Sequence, residues 1–171
     1  MLSQGATQTI IFFEAFIFLQ SKSYNTSFVL TSYAIIGASQ VIGRVVISRY
    51  NYLSSHYINL IANVLIFIGS LLYFISIYLN IYILPIFSIV FGMGLGISTI
   101  SKPLLISDIF EHNFSFYNGF YSLVLNLSRV IIPILIMFHI ISFSLIYLLC
   151  TGLVLTCIGL ACSYLILIGN K

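Results

Sequence analysis

From Tyr57 to Ser101 the chain runs for 45 residues without a single Asp, Glu, Lys or Arg. A helix needs about 20 predominantly apolar residues to cross a bilayer, so this stretch is too long for one crossing and suits two. The break belongs near Tyr78-Leu-Asn80, and Pro85 fits the opening turn of the next helix, where its missing N–H costs least. The feature therefore demands at least a pair of membrane helices joined by a tight turn.

The rest of the chain is written in the same way. Of its 171 residues 61% are hydrophobic and 5% charged, and the mean hydropathy is +1.18, values outside the range of soluble domains. An outer-membrane barrel would alternate apolar and polar residues in segments of about 10, whereas the apolar runs here are continuous over about 20. The expected fold is all-α: a single polytopic domain of six transmembrane helices at about 6–19, 27–47, 57–77, 83–101, 118–138 and 143–168, with a longer connection at 102–117. The first run has no positively charged stretch before it and no small-residue cleavage site after it, so it reads as a short membrane helix and not as a signal peptide.

Charge position then sets the orientation. Arg44, Arg49, Lys102, Arg129 and Lys171 fall near one side of a six-span topology and only Lys22 near the other. The positive-inside bias thus predicts cytoplasmic termini and a cytoplasmic 102–117 connection in a cell membrane. The wealth of Ile, Phe, Tyr and Asn fits an AT-rich bacterial genome, which makes the inner membrane the expected location. Tyr50, Tyr52, Tyr57, Tyr117 and Tyr164 on one side and Tyr24, Tyr78 and Tyr82 on the other stand where aromatic belts belong.

Polar residues inside the spans are the candidates for function, because each is costly there unless partnered. Glu14 sits in the middle of the first run, on the side that also carries Thr7; it is either an intramembrane carboxylate with a role or one that reaches water from a short, tilted helix. In the second run Gly37-Ala-Ser-Gln-Val-Ile-Gly-Arg44 places Gly37, Gln40, Gly43 and Arg44 at helical offsets of three and four, a face of small residues beside two long polar ones. Ser88, Gly92 and Gly96 recur every four residues in the fourth helix. Phe91-Gly-Met-Gly-Leu-Gly96 lacks the preceding strand and following acid of a dinucleotide loop, so it reads as close helix packing. In the fifth helix Asn118, Ser122, Asn126, Arg129 and Pro133 form a polar stripe, either a hydrogen-bonded seam with Arg129 snorkelling to the surface or part of a polar path.

Other chemistries find little footing. Cys150, Cys157 and Cys162 are spaced for neither zinc nor a disulfide framework. His56, His112 and His139 lie apart, and neither His-Glu-x-x-His nor Gly-x-Ser-x-Gly occurs, so no catalytic, metal or cofactor site is expected and the chain does not read as an enzyme. Six basic and three acidic residues are too few for a nucleic-acid footprint.

With these residues in view, the chain resembles the C-terminal six-helix half of a major facilitator superfamily transporter over nearly its whole length. Gly37 to Arg44 is similar to the family's eighth helix, Phe91 to Gly96 through Lys102 and Asp108 to Tyr117-Asn-Gly119 resembles the tenth helix and following loop, and Ser128-Arg-Val-Ile-Ile-Pro133 resembles the eleventh. The loop Ser48-Arg-Tyr-Asn-Tyr-Leu53 departs from the family by lacking the aspartate that latches the cytoplasmic gate. The resemblance implies transport of a small solute by alternating access, with proton coupling an option. Glu14, Gln40 and Asn126 would line the substrate or proton path, Arg44 and Arg129 would serve a gate or bind an anion, and Gly37, Gly43, Ser88, Gly92 and Gly96 would pack helices. Because family members set the substrate between two six-helix halves, it also implies a second half in the bilayer, either another copy of this chain or a separate N-terminal half-protein. The missing aspartate, the short lead into the first span and the AT-rich composition fit an alternative: a non-transporting membrane protein, as a truncated remnant or an assembly partner.

Overall fold

The computed structural model describes residues 7–12, 25–50, 52–142 and 145–169 of the chain. Residues 7–12 are helical (α1), followed in the described chain by α2 (Thr26–Ser48), α3 (Ser55–Tyr78), α4 (Leu84–Ile109), α5 (Phe114–Ser142) and α6 (Leu145–Gly169). No strand occurs among the described residues. Among the described residues four helical stretches are long and apolar enough to cross a membrane: Thr26–Ser48, Ser55–Tyr78, Ile81–Ile109 and Cys150–Ile168. The chain is a helical multi-pass membrane protein.

Local chemistry places the helix ends. Asn25, extended, caps α2 by accepting a hydrogen bond from the Ser27 N–H at 3.2 Å, the usual way a short polar side chain satisfies an open helix donor. Asn80 does the same for the 3-10 turn Ile81–Ile83, its Oδ1 accepting from Tyr82 N–H at 3.0 Å. That turn lies in the middle of the long uncharged stretch, with Pro85 in the first turn of α4.

At its other end α4 continues past the expected stop at 101, through Pro103, to Ile109. The expected 102–117 connection therefore shrinks to Phe110 and the 3-10 turn Glu111–Asn113. Two contacts account for the extra turns. Leu105 and Ile106 are buried, and the Asp108 carboxylate accepts a short hydrogen bond from the Ser55 hydroxyl. The bond also shows that α4 ends at the same side of the bundle where α3 begins. A proline within a helix loses one intrahelical bond and crowds the carbonyl four residues back, at about 3 kcal/mol or more, and these contacts act against that cost.

α4 is the central helix. It packs along α2 and α3, α6 packs on α3, and α5 touches α4 and α6 only sparsely. Phe87 and Phe91 of α4, both fully buried, meet Tyr73 of α3 and Ile36 of α2 in the main core, with ring centroids 4.9 Å apart for Tyr73–Phe87 and 5.3 Å for Phe87–Phe91. A second cluster of Ile47, Ile58, Ala62 and Ile97 lies nearer the Ser55–Asp108 end. The outward row Val41, Ile42, Val45 and Val46 of α2 is exposed, as suits a face turned to lipid.

Lipid tails are as apolar as leucine, so apolar side chains alone give these helices little reason to associate; close approach at small residues supplies it. A β-carbon on Gly43 would stand 2.6 Å from the Met93 carbonyl oxygen, and one on Gly92 would stand 2.7 Å from that of Ile36. One on Gly96 would run into the Gln40 carbonyl. On the α3 side Gly69 abuts Phe91, and Gly94 abuts the backbone of Ile66.

Candidate functional site

The expected site residues fall into three groups. Gln40, Gly43, Ser88, Gly92 and Gly96 belong to the central packing. Gln40 is half-buried, its backbone against Gly96, and Ser88 is fully buried, its hydroxyl donating to the Leu84 carbonyl at 3.0 Å. Gly37 is a correction: a β-carbon there would meet nothing within 4 Å. The face of α2 that meets α4 runs through Ile36, Ser39, Gly43 and Ile47, which sets Gly37 just outside it. Arg44 is exposed beside that contact. Glu14 lies outside the described residues.

The second group is a polar seam that periodicity alone did not mark. Asn59, Asn63 and Ser70 of α3 and Thr156 and Ser163 of α6 are all buried. The Ser70 and Thr156 hydroxyls lie 3.4 Å apart across the two helices. Each also donates to a carbonyl of its own helix, Ser70 to Phe67 and Thr156 to Leu153, both at 2.8 Å. A hydroxyl has one proton, so the interhelical contact is a weak one. Asn63 Nδ2 donates to the Asn59 carbonyl at 3.1 Å, while Asn59 Oδ1 has no hydrogen-bond partner among the described residues. The available signal was the spacing of Gly152, Thr156, Gly159 and Ser163, a small-residue face on α6 of the kind read from Ser88, Gly92 and Gly96 on α4.

The third group stands on α5. Ser122, Asn126 and Arg129 are exposed and Asn118 is half-buried, while Tyr121, Leu125 and Ser128 turn further inward. Ser122 satisfies itself by donating to the Asn118 carbonyl at 2.8 Å. Arg129 lies 15 residues beyond Phe114, or about 22 Å along the helix at 1.5 Å per residue. The Lys102 ammonium lies over the Tyr121 ring, 5.9 Å from its centroid. No carboxylate pairs with Lys102 or Arg129 among the described residues.

No protein-family model, characterised protein or solved structure matches this chain. Its function has to be read from its own chemistry. Among the described residues no three His, Cys, Asp or Glu side chains gather as metal ligands, and Cys150, Cys157 and Cys162 are separate exposed thiols. An open concavity of about 350 Å³ lies at the α4–α5 turn, lined by Asp108, Phe110, His112, Asn113 and Tyr117, with the Phe110 and Tyr117 rings stacked at 3.9 Å. It sits at the end of the bundle, away from the seam and from Arg129. The structure thus brings Lys102 of α4 and Tyr121 of α5 together, puts Gln40 and Arg44 on α2, and leaves Asn126 and Arg129 exposed.

Proposed function

We propose that the chain is one six-helix half of a secondary transporter of the major facilitator type, in a bacterial inner membrane with both termini cytoplasmic. A small solute would move by alternating access between this half and a second one. One observation carries the reading: the polar stripe Ser122, Asn126 and Arg129 faces out of the chain's own bundle, and with α5 as the fifth of six spans that stripe would stand at membrane depth. An amide and a guanidinium turned to hydrocarbon are costly, so intramembrane groups of this kind face a bundle interior or an aqueous cavity. A second half against α5 supplies both, and places the path between the halves. On this reading Asn126 and Gln40 are polar path residues, Glu14 is the proton or substrate carboxylate, and Arg44 and Arg129 hold the gate or an anionic group.

The test is the oligomeric state of the full chain in nanodiscs by native mass spectrometry, alone and co-expressed with a neighbouring six-helix reading frame, followed by solute flux in liposomes. Stable pairing with flux supports the proposal, and Glu14→Gln should then alter its pH dependence. A chain that stays monomeric under both conditions rules the two-half transporter out. Pairing without flux for any solute class favours the alternative, a non-transporting assembly partner that keeps the stripe only as an interface.

A further inference from the structure

Three segments close around the concavity of about 350 Å³ at the α4–α5 turn. Asp108, Ile109 and Phe110 come from the end of α4, His112 and Asn113 from the 3-10 turn, and Tyr117 from the first turn of α5. A space of this size lies at the lower end of small-molecule pockets and is far larger than the roughly 30 Å³ that one water takes up. Its walls are of two kinds. The Phe110 and Tyr117 rings stack with their planes 21° from parallel, yet they remain 39% and 36% exposed, so ring area is left to meet a ligand. Asp108 supplies a carboxylate whose Oδ2 accepts from the Ser55 hydroxyl. That bond positions the carboxylate without adding a charge, and a carboxylate has about four lone-pair sites, so it keeps room for further donors. Of the described groups lining the space it is the one with a formal charge at pH 7, where histidine is neutral.

A carboxylate beside aromatic rings suits an organic cation. The oxygen takes a charge-assisted hydrogen bond from an ammonium N–H, and the negative ring face attracts the same charge. A bare metal ion would find only part of its shell, because no three His, Cys, Asp or Glu side chains gather among the described residues, and it would make no use of the rings. We propose that this concavity binds an organic ammonium group, with Asp108 as its counter-ion and Phe110 and Tyr117 as its aromatic wall. The site lies at one end of the bundle and needs no second half, so it goes beyond the transporter reading and does not depend on it. The same chemistry is offered by a free amine and by the headgroup of phosphatidylethanolamine, and the measurement has one arm for each.

The full chain is placed in nanodiscs of phosphatidylglycerol, which carries no ammonium. Binding of ethylammonium is followed by the shift in thermal midpoint relative to potassium at equal ionic strength. In the second arm the nanodiscs also contain phosphatidylethanolamine, and lipid retained on the protein is counted by native mass spectrometry. Ethylammonium stabilisation, phosphatidylethanolamine retention, or both are expected. Either should weaken at least about tenfold in Asp108→Asn, a loss of about 1.4 kcal/mol, although the amide oxygen can still accept from Ser55. Phe110→Leu and Tyr117→Leu should each weaken it about two- to fivefold, the worth of a cation over an exposed ring. Ser55→Ala, which removes the hydrogen bond and keeps the charge, should stay within about threefold of the unaltered chain and separates loss of charge from loss of structure. Tyr52→Leu, at an exposed ring elsewhere, should change nothing. Stabilisation without retention assigns the site to a soluble amine, and retention without stabilisation assigns it to the lipid headgroup. If neither is seen, if Asp108→Asn binds as well as the unaltered chain, or if Ser55→Ala loses as much as Asp108→Asn, the proposal is wrong. None of these outcomes bears on pairing or flux, so the transporter reading is tested separately.

Discussion

The Ile36 carbonyl oxygen lies 2.7 Å from the point where a β-carbon would stand on Gly92, so α2 and α4 meet backbone to backbone. Backbone, unlike the end of a flexible side chain, has no room to yield. Gly92→Leu and Gly96→Leu should each destabilise the protein by about 1–3 kcal/mol, the usual cost of overpacking, and lower its thermal midpoint in detergent. Gly37→Ala has open space and should be neutral, or stabilising by up to about 1 kcal/mol through helix propensity. Equal losses at 37 and 92 would contradict the crossing described.

The Ser55–Asp108 bond ties the first turn of α3 to the last turn of α4. A hydrogen bond to an ionised group contributes about 1.5–3 kcal/mol, so Asp108→Ala should cost about that much and Ser55→Ala somewhat less. Hydrogen exchange should rise first at 104–109 in both variants, with the centre of α4 still protected.

The contact between Ser70 and Thr156 should matter far less. Both protons are committed to carbonyls of their own helices, and interhelical hydrogen bonds in membranes average about 0.6 kcal/mol by double-mutant cycle. A cycle of Ser70→Ala and Thr156→Val, read by unfolding in mixed micelles, should give a coupling below about 1 kcal/mol. A larger value would mean that the seam holds more than these two hydroxyls.

The outward stripe of α5 should be covered when the second half is present. In Asn126→Cys, with the three native cysteines replaced by serine, the thiol faces lipid in the lone chain and should react with a membrane-impermeant maleimide faster once co-assembly forms an aqueous path beside it. Leu30→Cys, on an exposed position of α2, serves as the reference for lipid-facing sites. An unchanged ratio on assembly would place the partner elsewhere.

Much of this structure was legible in the residues, and the reason is the solvent. A bilayer forbids unpaired backbone groups, so long apolar runs had to be helices. The 45-residue uncharged stretch had to turn once, and the turn is where Asn80 and Pro85 make it cheapest. The spacing of Ser88, Gly92 and Gly96 likewise marked a packing face. The end of α4 was not legible, because Lys102, Pro103 and Asp108 read locally as a polar connection. What continues the helix is burial of Leu105 and Ile106 together with a hydroxyl 53 positions away in sequence.

The sequence by itself determined that this is an all-helical chain for a membrane, and it named the polar groups that are expensive there. It did not determine which way each face looks, because lipid and protein interior are almost equally apolar and hydrophobic pattern no longer separates inside from outside. Only the crossing of α2 on α4 decided that Gly43 packs while Gly37, six residues away, faces open space. Only the approach of α5 to α4 set the Lys102 ammonium over the Tyr121 ring, since residues on separate helices meet through packing and not through spacing along the chain.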